Sequence, residues 1–417
     1  VSISASHSPA TASRRFRNPG SPFRAEKSPT FVAENPLKWY NPDTAGIPRK
    51  ETYTHSTALH SWHIAHGAKM APFAGYDMPI SYPTGAIEEH NITRRSAGLF
   101  DIDHMGQIEV SGPGADAFVS RMVSAKISDM KPPMARYSLL LDEGGLVIDD
   151  LFVYRMPESW WIVVNASNRD TDLAWFLSHA DKAVKITDKS DETYMMAVQG
   201  PKAMELLDLV AKPVVSTLDR FTWGKVEIEG IPVLFGRTGY TGEDGGELFF
   251  PADKAEFLWD LLLDTGKKSG IETMPIGLAA RDSLRFESGM PLHGHEISPS
   301  INALEAGFKW ACDFDKDFIG KKALMEIAAK GVARKLVGID VTGGVPREGY
   351  ELADDSGKIV GHCVAGMFCP TVRKYAANAY VEPGFAKIGT ALKVIIRGQP
   401  KDAVVIKRPL YIPAYRR

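Results

Sequence analysis

The chain has 417 residues, ordinary globular fractions of apolar (44%) and charged (24%) residues, and a formal net charge of −2. That length suggests two or three domains, and the balanced charge gives no global argument for nucleic acid or for an anionic membrane. No apolar run reaches the roughly 18–20 residues of a membrane-spanning helix, so no membrane insertion is expected. The three cysteines, Cys312, Cys363 and Cys369, show no CxxC spacing. They argue against structural zinc or a disulfide framework and for a reducing compartment.

Residues 1–52 differ from the rest. The first 25 are Ser-rich, carry Arg14, Arg15, Arg17 and Arg24, and hold no acid. This composition is that of an organelle transit peptide, or of a disordered surface extension. The chain starts at Val1 rather than Met, which reads as processing or trimming. Residues 28–52, Pro-rich and aromatic, read as a strap over the body, with a larger complex as its purpose. The body starts near Tyr53.

In residues 113–124, Phe118, Val119, Met122 and Val123 share one helical face. Residues 137–154 read as a hairpin turning at Asp142–Gly145, and 160–164 continue as a strand. Phe257, Leu258, Leu261 and Leu262 form the apolar face of a helix for which Asp253 is the expected N-cap. Another helix is predicted over 277–288, ended by Gly289. Residues 331–417 show short alternating strands split by Gly and Pro, as in a small antiparallel barrel. No regular βαβ rhythm appears, so the class is α+β.

The densest chemical signal is GRTGYTGEDGGE, Gly236–Glu247, with five glycines in its first eleven residues. Glycines let a backbone approach a ligand. The carboxylates of Glu243, Asp244 and Glu247 suit a ligand that presents N–H donors, such as a pterin, better than a phosphate. The plain alternative is a tight hairpin with solvated acids. In GLAARDSLRFESGM, 277–290, Arg281 and Arg285 share a helical face. Arg281 could fork onto a carboxylate or ring carbonyl; the alternative is a surface salt-bridge ladder. In GLFDIDHMGQIEV, 98–110, Asp101 stands at an element boundary beside apolar residues, where burial would raise its pKa. It could instead be a turn acid capping backbone. His60, His63 and His66, and the HGHE of 293–296, invite a metal. The first three drift around a helix and HExxH is absent, so no metal is expected. No basic stripe interleaved with aromatics supports nucleic-acid binding.

LFDIDHMGQ, YSLLLDEGGLVIDDL, VVNASNRDTDLAWF, AVQGPKA, GRTGYTGEDGGE, GLAARDSLRFESGMPLHGHEI and KDFIGKKAL occur in this order. In that order they resemble the successive motifs of the glycine cleavage T-protein family, tetrahydrofolate-dependent aminomethyltransferases. HIAHGAKMAPFAGYDMPISY resembles that family's lead-in. The resemblance covers about 55–417. It implies a three-domain cloverleaf of antiparallel sheets with flanking helices around a central folate-binding hole. The expected parts are an N-terminal region (53–190), a middle region interleaved with it (191–330) and a C-terminal β-barrel (331–417).

The resemblance also implies a reaction. Tetrahydrofolate takes the methylene carbon from an aminomethyl group on the lipoyl arm of the H-protein, and ammonia leaves. Asp101 matches the family's catalytic Asp. Glu247 and Arg281 match folate contacts, and Tyr415 aligns approximately with a C-terminal Tyr that touches folate. The mitochondrial matrix is the expected location, with bacterial cytoplasm as the alternative. Where the family usually has Val-Ser-His-Met after that Asp, this chain has Ile102-Asp103-His104-Met105. That change keeps open a folate-dependent demethylase of a small methylated compound. The N-terminal extension keeps open a non-catalytic folate-domain subunit.

Overall fold

The computed structural model describes residues 55–416. The extension 1–52, read as transit peptide and strap, lies outside them. Three larger sheets carry the described body. Five strands form one sheet in the order Ala135–Leu141, Val147–Arg155, Ser159–Val164, Gly106–Ser111, Lys185–Asp188. Seven form another: Ala211–Lys212, Trp223–Ile228, Ile231–Gly236, Gly245–Pro251, Thr193–Gln199, Ala97–Asp101, Thr273–Pro275. The third is a closed six-stranded antiparallel barrel spanning Lys335–Val341 to Gln399–Ile406, which pair to close it. The α+β class and the C-terminal barrel are as expected.

The first two sheets interleave along the chain. Ala97–Asp101 belongs to the seven-stranded sheet, yet Gly106–Ser111, five residues on, belongs to the five-stranded one. The turn after Asp101 is therefore the point where the chain changes sheets. One pairing departs from the antiparallel expectation: Thr273–Pro275 runs parallel to Ala97–Asp101. The helix Ala255–Ser269 precedes that short strand and returns the chain to the sheet edge, the crossover that a parallel pair requires.

Local patterning explains most elements. In Val147–Arg155 the buried positions alternate through Val147, Asp149, Leu151 and Val153, the period of a half-buried strand. The hairpin turn is closed by Asp142, whose Oδ1 accepts the Leu146 amide at 2.8 Å. The helix Ala115–Met122 buries Phe118, Val119 and Met122. The helix Leu278–Glu287 is followed by Gly289 in the left-handed region, φ 72°.

The helix Ala255–Ser269 corrects two details. Asp253 does not cap it. Asp253 lies in a preceding 3-10 turn, Ala252–Lys254, and pairs with Lys254. The buried face is Leu258, Trp259 and Leu262, while Phe257 is 52% exposed. A tryptophan at 259 carries more apolar area than Phe257, and the helix turns to bury it beside Trp62 and Leu258. Among the described residues no helix is long and apolar enough to cross a membrane.

This rotation has a measurable consequence. Leu258→Ala should cost about 2–5 kcal/mol in denaturant unfolding, as for a fully buried leucine. Phe257→Ala should stay within about 0.5 kcal/mol. Equal costs would place the buried face where the periodicity alone put it.

Candidate active site

Asp101 ends its strand with a side chain that has no exposed surface. Its Oδ2 accepts the Thr57 hydroxyl at 2.6 Å and lies 2.8 Å from His63 Nε2. Its Oδ1 accepts the Asp103 amide at 3.1 Å. Burial by itself raises this carboxyl. The His63 hydrogen bond and charge, with Thr57 and the Asp103 amide, outweigh it and hold the group below its ordinary value. The sequence expectation of a raised Asp101 pKa is thereby corrected. The raised acid is its neighbour. Asp103 is pushed to about 7, by burial first and then by the Asp101 charge, against the amides of Ala58 and Met195.

Glu247 lies near the start of Gly245–Pro251. Two glycines bring it there. Gly245 has φ 146°, and a Cβ on it would stand 2.1 Å from the Val198 carbonyl oxygen; one on Gly246 would stand 2.1 Å from the Phe235 ring. No larger residue lets this strand lie so close to both neighbours. The Tyr154 hydroxyl (3.1 Å) and the Thr238 hydroxyl both donate to Glu247 Oε2. Oε1 has no hydrogen-bond partner among the described residues. Burial raises the Glu247 carboxyl despite Thr238, Arg281 and Tyr154.

Arg281 lies in the first turn of Leu278–Glu287, with its guanidinium 4.8 Å from the centre of the Tyr240 ring. Burial lowers its pKa, against the pull of Tyr240 and Glu247. Arg285, one turn on, is no surface ladder. It is 1% exposed and reaches Glu296 at 2.8 Å and Asp282 at 2.7 Å. The Tyr415 hydroxyl donates to the Gly242 carbonyl at 2.7 Å, and Arg220 lies over its ring at 4.0 Å.

Glu247, Arg281 and Tyr415 thus all meet the 236–247 loop or its strand. Asp101 stands apart. In the sheet, Glu247 pairs with Ala197 and Ala197 with Phe100, so by the pleat Asp101 faces the other side, with Met196 and Leu248. No hydrogen bond or ion pair joins Asp101 to Glu247 or Arg281 among the described residues. His104 lies between them electrostatically. Burial and then Arg281 lower it to about 3, with the Asp101 charge opposing, and its Nδ1 is buried without a partner.

Sequence reasoning misses two groups. It weighs His63 only as a metal ligand and Thr57 not at all. Their signal is slight, because both lie some forty residues from Asp101. Asp149, on the core face of its strand, accepts from Asn165 and Asn168. Asp172 beside it is pushed to about 11 by burial and then by the charge of Asp149 and a hydrogen bond to it, so it stays protonated. Asp150 rises to about 7 by burial and then Asp149. The alternation of VIDDL carries the Asp149 signal.

Comparison with known proteins identifies the family. The family described as GCVT N-terminal domain matches residues 59–316, and the glycine cleavage T-protein C-terminal barrel domain matches 334–411. An aminomethyltransferase of Symbiobacterium thermophilum is 42% identical over 372 residues, 87% of this chain and 98% of the relative. One of Herpetosiphon aurantiacus is 43% identical over 365 residues, covering 87% and 99%. The crystal structure of glycine cleavage system aminomethyltransferase T from Bartonella henselae superposes with a TM-score of 0.81 at 33% identity, covering 87% of this chain and 99% of that one. With both family domains matched in order across nearly the whole described body, the chain belongs to the glycine cleavage T-protein family.

Proposed function

We propose that this chain, an aminomethyltransferase of the T-protein family, moves the methylene carbon of an aminomethyl group from the lipoyl arm of the H-protein to tetrahydrofolate, releasing ammonia. The observation that carries the substrate is Glu247. A half-buried carboxylate with one oxygen held by two hydroxyls and the other unengaged suits a ligand edge rich in N–H groups. Arg281 supplies the complementary donors for a ring carbonyl or carboxylate. Tyr415, fixed on the Gly242 carbonyl, lies at the same loop and closes that side of the folate site.

The transfer breaks a carbon–sulfur and a carbon–nitrogen bond and makes two carbon–nitrogen bonds. The two protons given up by the folate nitrogens leave on the thiol and on ammonia. By the motif match, Asp101 is the carboxylate assigned to this traffic: ionised, it would stabilise positive charge developing at the migrating carbon, acting through the sheet rather than by contact, since its side chain is fully buried and faces away from Glu247. The demethylase and the non-catalytic subunit find no support in the relatives, which are aminomethyltransferases. Those relatives are bacterial. A mitochondrial placement and a complex formed through residues 1–52 rest on the composition of that extension alone.

Asp101→Asn should lower tetrahydrofolate-dependent ammonia release from aminomethylated H-protein by about 10²–10⁴. Folate binding, read by calorimetry, should be largely kept. Glu247→Gln should weaken folate binding by about 1.5–3 kcal/mol, the worth of a charge-assisted bond. Full turnover by Asp101→Asn, or unchanged binding by Glu247→Gln, would remove the corresponding role.

Asp103 makes stability depend on pH. The folded protein binds its proton more tightly than the unfolded chain, so stability falls as pH rises from the ordinary 3.8 towards about 7. Asp103→Asn should flatten that fall. Unfolding curves with the same slope in variant and parent would show that Asp103 titrates normally.

A further inference from the structure

Three carboxyls crowd together where the strand Val147–Arg155 meets the helix Arg169–His179. Asp149 and Asp150 are neighbours on the strand, and Asp172 comes from the first turn of the helix. Asp149 and Asp172 are both 0% exposed, and Asp150 is half-buried. By the pleat, Asp149 lies on the core face and Asp150 on the opposite one, with Phe152 and Tyr154. Tyr154 is the residue whose hydroxyl donates to Glu247. Asp150 is also within electrostatic reach of Tyr240, whose ring lies beside the Arg281 guanidinium. Asp150, unlike Asp101, therefore stands on the side that carries the candidate folate contacts.

Asn165 ties two of these acids together. Its Nδ2 donates to Asp149 Oδ1 and to Asp150 Oδ1, each at 2.8 Å, and its backbone amide donates to Asp149 Oδ2 at 2.9 Å. Asn168 Nδ2 donates to Asp149 Oδ1 at 2.6 Å. With these N–H groups on both its oxygens, Asp149 serves as an acceptor. Asp172 is hydrogen-bonded to Asp149. Two carboxyls can bond only through a hydrogen that one of them carries, so that hydrogen belongs to Asp172. Burial and then the Asp149 charge hold Asp172 at about 11, which keeps the hydrogen there through neutral pH. Asp172 is thus a buried O–H donor rather than an anion.

We propose that Asp172 is a positioning residue for the aminomethyl transfer: its O–H fixes Asp149, and Asp149, through the shared Asn165, fixes Asp150 at the folate site. This rests on the folate reading of Glu247 and Arg281, with Asp150 as the carboxyl presented to the ligand. The Asp172 hydrogen also offsets part of the Asp149 charge, which after burial is what raises Asp150 to about 7. Other groups facing the cluster are Tyr137 from the strand Ala135–Leu141, hydrogen-bonded to Asp150, Tyr240 from the 236–247 loop, and His293 near Asp149. Among the described residues none of these three donates to Asp149 in place of Asp172. Removing the Asp172 hydrogen leaves the Asp149 charge less offset, so the Asp150 pKa rises and the acid limb of turnover moves to higher pH.

The test is the pH profile of turnover, with aminomethylated H-protein and tetrahydrofolate, for the parent, Asp172→Leu, Asp172→Asn and Asp150→Asn. Asp172→Leu should lose about tenfold in kcat with the folate KM within about twofold, and its acid limb should rise by about half a pH unit or more. Asp172→Asn, whose amide N–H can replace the carboxyl O–H, should recover the limb and most of kcat. Asp150→Asn should lose the limb along with most of its turnover. Should Asp172→Leu fail to fold, infrared spectra carry the test. A carboxylic-acid carbonyl band should persist in the parent above the titration of Asp103, Asp150 and Glu89 at about 7, and be missing from Asp172→Asn. A folded Asp172→Leu with the parent's limb and kcat overturns the proposal. So does a parent without that band, or an Asp172→Asn limb displaced to lower pH, since either marks Asp172 as an anion. Full turnover by Asp150→Asn would instead overturn Asp150 as the presented carboxyl. No tetrahydrofolate-dependent ammonia release by the parent would overturn the aminomethyl reading, a result distinct from an unshifted limb.

Discussion

Asp101 ends its strand with no exposed side-chain surface, and an ionised carboxylate there has to be met by donors. An unpaired buried charge costs several kcal/mol even after the protein relaxes around it. The donors come from far along the chain: Thr57 and His63 from the lead-in to the body, and the Asp103 amide from the turn that follows. The same turn carries the chain from the seven-stranded to the five-stranded sheet. One anion thus ties together the entry segment, the helix His60–Ala65 and the junction of two sheets. Moving that turn would strip the charge of its partners, which gives the acid its fixed position.

The second constraint lies on the other face of the same sheet. Glu247 and Arg281 are both half-buried, and each shifts the other toward its charged form while burial works against both. They are not directly bonded to one another among the described residues. A pair held near but apart leaves each group with capacity for a ligand placed between or beside them. Tyr154 and Thr238 use theirs to orient Glu247 rather than to neutralise it. Asp101 and Glu247 are therefore kept on opposite pleats, in separate electrostatic surroundings.

Asp103 shows how a neighbouring acid alters such a balance. An acid two residues from Asp101 takes its amide to Asp101 and its carboxylate to the Ala58 amide. Two carboxyls that close cannot both ionise freely. Because His63 donates to Asp101 and not to Asp103, the ionised state belongs to Asp101 and the raised pKa to Asp103. The neighbour's identity is plain in the sequence. Which of the two acids carries the charge is not, since that depends on a histidine some forty residues away.

The sequence by itself determined the family, the α+β class, the hairpin of 137–154, the helix ended by Gly289, the C-terminal barrel and the candidates Asp101, Glu247, Arg281 and Tyr415. These follow from patterns that are local or occur in fixed order: strand alternation, glycines at tight turns, and motif succession. The tertiary structure decided the rest. It buried Trp259 in place of Phe257, inserted one parallel pairing, drew Arg285 into the interior onto Glu296, and set Asp101 and Glu247 on opposite faces of one sheet. It also packed Asp172 onto Asp149, behind Asp150. Burial and pairing are set by which segments pack together in three dimensions, and a periodicity of two or 3.6 residues carries no record of a partner forty or a hundred residues away.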